Sequence, residues 1–265
     1  MPCMRGVALV DRLPDGVTLV RAPNPGPMTL DGTNTWVLRP SGATAAVVID
    51  PGPDDAGHLA AIAAHQPVST ILITHGHHDH VEGAARLSAL LGGAPVRAAD
   101  PAHCVGAPPL TAGTLVLAGL EIEVLPTPGH TRDSVCFRTA DAVFSGDTIL
   151  GRGTAVVAHP DGDLSSYLDS LTRLTAYESL LLPGHGPALG DCAAVARAYL
   201  AHRRDRLAQV KAAMVAGADT PGALVDAVYP DIDPAIRFAA EASARAQLDY
   251  LRRESQKPPE QLDPL

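Results

Sequence analysis

The stretch from Thr74 to Gly83 reads THGHHDHVEG. It follows a short apolar run, Ile71-Leu72-Ile73, that reads as a buried strand. It precedes Val81 to Leu91, where Val81, Ala84, Ala85, Leu87 and Leu91 suit one face of a helix. His75, His77, Asp79 and His80 are therefore expected in a loop at the C-terminal end of a strand. A tight turn cannot aim four donors so close in sequence at one point, so the spacing suggests two adjacent metal ions. Imidazole nitrogen with carboxylate oxygen suits zinc, and also iron or manganese.

Outward from this stretch, the pattern repeats. Val17 to Val20, Trp36 to Leu38 and Ala45 to Ile49 read as strands, and Arg21 to Thr35 as a loop. Asp54 or Asp55 is placed to cap a helix running to about Ala64. Val96 to Ala98, Leu115 to Leu117, Ile122 to Leu125, Ser134 to Phe137, Ala142 to Phe144 and Leu180 to Leu182 read as further strands, and Leu164 to Leu174 as a helix. Three of these strands stop at a loop carrying a further donor. They are His130 in PTPGH, Asp147 in SGD and His185 in PGHG. Loops at strand ends can converge while the sheet stays rigid, so function collects there. From Asp191 the strand signals cease. Val195 to Val215 reads as a long helix, Thr220-Pro221 starts a second and Asp233-Pro234 a third, ending near Arg253. The Pro-rich segment Lys257 to Leu265 reads as a frayed end.

Composition bounds the partners. The chain has 265 residues, 46% apolar but only 3% aromatic, so its core must be built from Ala, Val, Leu and Ile. The formal net charge is −9 and does not recruit nucleic acid. Cys3, Cys104, Cys136 and Cys192 form no CxxC pair and read as free thiols in a reducing cytosol. The N-terminus lacks a signal-peptide run, and no stretch approaches a membrane span. A soluble, cytoplasmic protein is expected, with no membrane partner. The oligomeric state is open, a homodimer included.

Taken together, THGHHDH, TPGHT, SGDT and PGHG resemble the metallo-beta-lactamase superfamily over roughly residues 15 to 190. The resemblance implies an α/β fold, a four-layer αββα sandwich. It implies one ion held by His75, His77 and His130, a second by Asp79, His80 and His185, and Asp147 between them. Two Zn2+ per chain are thus expected, with iron or manganese as substitutes. Asp50, ending the VVIDPG strand, matches a position that buttresses the metal loop. The ions would share a hydroxide that attacks an acyl carbon or phosphorus, and Asp79 would orient it as the catalytic residue.

Within the superfamily, PNPGPMTLDGTNTWVL, GDTILGRGT and LLPGHGPAL are most similar to the branch of the mitochondrial beta-lactamase-like endoribonuclease. The resemblance implies a catalytic domain over residues 1–195 and a small helical, winged-helix-like domain over 196–265. The closing KPPEQLDPL does not read as the hairpin of a wing. From Ala201 to Lys257 there are nine Lys and Arg against eight Asp and Glu, far less acidic than the whole. Arg203, Arg204 and Arg206 are either phosphate contacts or the solvated face of a helix. Three functions follow: an endoribonuclease acting on single-stranded RNA, a small-molecule hydrolase acting on a thioester (as in the hydroxyacylglutathione hydrolases) or a beta-lactam, and a non-catalytic metal-binding protein. Seven donors argue against the last, because structural zinc sites close with four.

Overall fold

The computed structural model describes residues 8–10 and 12–256. Its first five strands are β1 (Val17–Arg21), β2 (Asn34–Leu38), β3 (Ala46–Ile49), β4 (Val68–Leu72) and β5 (Val96–Arg97). They form one sheet in chain order, with β1, β2 and β3 antiparallel and β3, β4 and β5 parallel. The second sheet contains β6 (Gly113–Leu117), β7 (Leu120–Pro126), β8 (Val135–Arg138), β9 (Ala142–Gly146) and β10 (Leu180–Pro183), in the order β10-β9-β8-β7-β6.

Alternation along each strand assigns the layers. Trp36 and Leu38, then Val47 and Ile49, point to the space between the sheets, where they meet Ile122, Val124, Phe137, Phe144 and Leu182. Val37 and Val48, one residue out of phase, point the other way. There they pack on Leu59 and Ile62 of α1 (Ala56–Ala63) and Leu87 of α3 (Ala84–Leu90). A strand buried on both faces reads as a continuous apolar run, which is why VVI carries no polar residue. On the far face of the second sheet, Cys136, Val143 and Leu181 pack against Tyr167 and Leu171 of α4 (Leu164–Leu174) and Val195 and Tyr199 of α5 (Cys192–Val215). The result is the αββα sandwich. Each fully buried large aliphatic or aromatic side chain contributes about 1.5–3 kcal/mol.

Local chemistry sets the helix starts. Asp55 accepts from the amide of His58 at 2.8 Å, and Asp163 from that of Ser166 at 2.8 Å. Thr220 caps α6 (Pro221–Val228), with Pro221 in the first turn. Asp233 caps a single 3-10 turn, Pro234–Ile236, which leads into α7 (Arg237–Gln256). The expected domain boundary at residues 195 and 196 falls inside α5. The outer part of α5 joins α6 and α7 around Val210, Leu224, Val225, Ala244 and Leu248, a small core of its own. Among the described residues only helices follow β10, and no strand forms the wing that a winged-helix domain would carry. Lys257 to Leu265 and Cys3 lie outside the described residues.

Three expectations need correction. The helix expected from Val81 to Leu91 is interrupted: a single turn, α2 (His78–Val81), is followed by α3 from Ala84. The break falls where the amide of Gly83 turns away to Gly52. Asp79 and His80 therefore sit on a helical turn, not in a loop. In the segment expected as a loop from Arg21 to Thr35, Asn34 and Thr35 already belong to β2.

Candidate metal centre

All seven donors from the sequence converge at one end of the two sheets. His75, His77 and His130 bring one nitrogen each into a cluster; Asp79, His80 and His185 form a second, and the ligand atoms within each lie within 4.8 Å. The spacings are 3.1 Å from His75 Nε2 to His77 Nδ1, 3.1 Å from His130 Nε2 to His77 Nδ1, and 3.2 Å between the Nε2 atoms of His80 and His185. Asp79 Oδ2 is 3.1 Å from His185 Nε2. Asp147 reaches both clusters: Oδ1 is 3.5 Å from His80 Nε2, and Oδ2 is 3.4 Å from His185 Nε2 and 3.9 Å from His130 Nε2. Asp147 Oδ1 is buried and has no hydrogen-bond partner.

The outer nitrogens decide what the inner ones can do. Carbonyl and carboxylate oxygens only accept, so an imidazole nitrogen facing one must carry hydrogen. His130 Nδ1 donates to Val156 O at 2.6 Å, His185 Nδ1 to Gly32 O at 3.3 Å and His80 Nδ1 to Asp50 Oδ2 at 2.8 Å. The Thr74 hydroxyl donates to Asp50 Oδ2 at 2.7 Å, so it accepts from His75 Nδ1 at 3.0 Å. Four imidazoles thus turn their remaining lone pairs inward onto one another. That arrangement is repulsive unless a cation, or a proton, lies between them, and it is the orientation metal-binding histidines require. With the unpartnered carboxylate oxygen of Asp147, it fits a pair of divalent ions.

Each donor is placed by tertiary contacts. Asp50 takes φ +53°, a conformation Asp tolerates better than most residues, and accepts from Thr74 N at 2.8 Å as well as from Thr74 Oγ1 and His80. It is the buttress the sequence implied. Gly146 brings Asp147 against this loop: at φ +49°, a Cβ there would lie 2.4 Å from Thr74 Oγ1. Gly129 does the same for His130, since a Cβ would lie 2.3 Å from the Cα of Tyr167. Ser134 is structural, its hydroxyl 2.7 Å from that of Thr131 beside His130. His78 is exposed, outside both clusters.

Sequence reading missed three supporting residues. The Thr33 hydroxyl donates to Asp79 Oδ2 at 3.2 Å, and Asn24 holds Thr33 through its side-chain amide at 3.0 Å. Asn34 donates to Pro183 O at 3.0 Å and Gly186 O at 2.9 Å, fixing the turn that carries His185. All three lie within the PNPGPMTLDGTNTWVL segment, which signalled kinship but no role for each residue.

The carboxylates and imidazoles shift one another. Burial lowers His75 well below the usual histidine range, and burial with His130 brings His77 down to about 4. Burial would also lower His80 and His185, but Asp147 with Asp50 raises the first and Asp147 with Asp79 raises the second, to about 11. Burial works to raise Asp79, yet His80 and His185 overcome it and hold the carboxyl at about 2. In the metal-free chain, His185 thus adds stability fully below its ordinary value of 6.5, and this is lost as pH climbs towards about 11. Ligation needs the neutral imidazole, so metal binding must expel the proton on His185, and affinity rises with pH. Calorimetric titration at pH 7 in two buffers of different ionisation enthalpy should show about one proton released per filled pair. Binding without proton release would contradict this assignment.

Comparison with known proteins agrees with the geometry. Residues 28–104 and 105–185 match the family model described as the metallo-beta-lactamase superfamily. The beta-lactamase-like protein 2 homolog of Caenorhabditis elegans is 29% identical over 95% of this chain and 89% of its own length. An atrochrysone carboxyl ACP thioesterase of Aspergillus fumigatus is 30% identical over 87% of this chain and 79% of its own. A beta-lactamase domain protein from Burkholderia ambifaria shares the fold at a TM-score of 0.77 and 21% identity, covering 96% of this chain and 95% of that one. The strand-end donors, the double sheet and the family match converge, and the chain belongs to the metallo-beta-lactamase superfamily.

Proposed function

We propose that the chain is a two-metal hydrolase of an acyl thioester or a related activated carboxylic ester. The observation that carries the metal-dependent part is the inward aim of the four imidazoles around Asp147. His75, His77 and His130 would hold one ion and Asp79, His80 and His185 the other, with Asp147 serving both; zinc suits these donors, and iron or manganese could replace it. Paired ions, when bound, ready water as a nucleophile near neutral pH and neutralise charge that develops on the attacked group. The chain's own part is orientation. Asp79, steadied by Thr33, keeps an ionised carboxylate at the mouth of the site, able to accept a hydrogen bond from the attacking water and so orient it.

The acyl class is favoured by the balance of charge. Arg132 and Arg152 follow His130 and Asp147 closely in sequence, and both are paired with carboxylates, Arg132 with Asp161 at 3.8 Å and Arg152 doubly with Asp31 at 3.1 Å. The three arginines that could meet RNA are mostly engaged elsewhere. Arg203 is buried and bonded to Ala155 O, so it is neither a phosphate contact nor a solvated face. Arg206 lies over the Tyr229 ring at 4.2 Å and donates to Val228 O, leaving Arg204 as the exposed one. A polyanion needs unpaired cations for affinity, whereas a small acyl ligand needs the ions and a cleft. The acyl carrier protein thioesterase among the relatives points the same way. The endoribonuclease reading rests on the resemblance carried by the GTNTW opening alone.

Elemental analysis of chelator-free protein should approach about two metals per chain. The loaded protein should then turn over a panel thioester faster than it cleaves single-stranded RNA or opens a lactam. RNA cleavage with inert thioesters would reverse the substrate reading. One metal or fewer under replete conditions would remove the paired site.

A further inference from the structure

We propose that the C-terminal helices are a positioning device for His130, fixing the imidazole at the angle its inward nitrogen needs; the proposal rests on the two-metal reading above. Two grips reach His130 from the tail. The first begins at Arg203 on α5, which is only 5% exposed. Its Nη2 donates to Ala155 O, and its guanidinium lies 5.0 Å from the centre of the Tyr167 ring. The next carbonyl along the chain, Val156 O, is the acceptor of His130 Nδ1–H. Adjacent peptide planes share one Cα, so holding the first restricts the tilt of the second. Tyr199, one turn earlier on α5, pins the same loop through Leu150 N at 3.0 Å, Leu150 O at 3.2 Å and Gly153 O at 3.0 Å. The second grip is Arg253 on α7, which donates to Asp163 Oδ2 at 2.6 Å. The backbone amide of Asp163 donates to Gly129 O at 3.0 Å, immediately before His130.

Packing alone does not account for Arg203. A guanidinium buried beside the apolar cluster of Tyr167, Val157 and Leu200 is costly to desolvate, and its Nε finds no partner. An apolar side chain of similar length would serve stability as well or better. What Arg supplies and an apolar residue cannot is a directed hydrogen bond onto the loop that orients a ligand. The other cluster is held differently. Asp79, His80 and His185 are oriented by Thr33, Asp50, Gly32 and Asn34, all from the first sheet and its leading loop. Tyr199 is shared, because Gly151, next to Leu150, donates to His185 O at 2.8 Å. Arg203 and Arg253 act on one ion's ligands and not on the other's, and this asymmetry is what an experiment can read.

The full chain is compared as parent, Arg203→Met, Arg203→Lys and Arg253→Gln. Each is stripped, reloaded with Zn2+ and titrated with a competing chelator; crystals of each give the occupancy at both clusters by anomalous diffraction. Arg203→Met should weaken the ion at His75, His77 and His130 by about 10- to 100-fold and leave the ion at Asp79, His80 and His185 unchanged. Arg203→Lys, which can still donate to Ala155 O, should recover part of that loss. Arg253→Gln changes a half-exposed pair, so it decides the matter if Arg203→Met does not fold, and it should weaken the same ion to a smaller extent. Equal weakening of both ions with a lowered melting temperature would make the tail a mere stabiliser and overturn the proposal. Unchanged occupancy at His130 in variants that fold would overturn it too. A parent that binds fewer than two ions would remove the metal reading first, and the proposal with it.

Discussion

Asp147→Ala is expected to lower turnover of any substrate by on the order of 10³-fold while the protein still folds. Among the described residues Asp147 is the one carboxylate whose two oxygens face both clusters, at 3.5 Å from His80 on one side and 3.9 Å from His130 on the other. Burial opposes its ionisation, but His185 and His80 outweigh burial and keep the carboxyl well below the usual range. It therefore presents negative charge where two cations would meet, and no neighbour can substitute. Alanine removes that charge and leaves Oδ1's vacated space beside Gly184 and His80. Stability of the metal-free chain should fall as well, because His80 and His185 lose the carboxylate that favours their charged forms, although an imidazole that sheds its proton limits the loss. Circular dichroism, metal content and initial rates on the best panel substrate test this together. A variant that keeps two metals and parental rates would show that Asp147 does not join the clusters.

Asp50→Ala should act on stability as strongly as Asp147→Ala acts on rate. Asp50 accepts three buried hydrogen bonds, from Thr74 N, Thr74 Oγ1 and His80 Nδ1. Removing it orphans those donors and places Ala at a positive φ, at a cost of about 3 kcal/mol or more. For a chain of this size the melting temperature should then fall by roughly 6–12 °C. Asp50→Asn separates the two consequences. Asn tolerates the backbone angle and still accepts from Thr74 N, so most of the stability should return. Its amide, however, cannot accept from both Thr74 Oγ1 and His80 Nδ1. If the amide NH2 faces His80, the imidazole must move its hydrogen to Nε2, away from metal binding. Expected, then, is a near-parental melting curve with weakened metal binding, measured by chelator competition. Parental metal affinity in Asp50→Asn would detach Asp50 from the site.

Much of the molecule was legible in the chain. The seven donors were legible because all lie just past short apolar strands and five of them, all but Asp79 and His80, sit beside Gly, a purely local pattern. The two-sheet layering was implied by the family resemblance of the donor motifs, and strands such as AVVI, apolar on both faces, agree with it because they must be covered on both. Helix starts at Asp55, Thr220 and Asp233 followed from caps that bond within three residues of themselves. Local chemistry decides these features, so a single sequence suffices to read them.

What tertiary structure alone decided is how the donors are held. Asn34 reaches Gly186 across 152 positions, Thr33 reaches Asp79 across 46, and Arg203 reaches Ala155 across 48. No period or spacing encodes such pairs. Arg203 shows the consequence most plainly: beside Arg204 and Arg206 it reads as part of a basic cluster, yet it lies on the face of α5 that packs against Tyr167 and the loop before His130. A helix carries neighbouring residues to different faces, and only the partner that covers a face determines whether a charge meets solvent, a phosphate or a buried carbonyl.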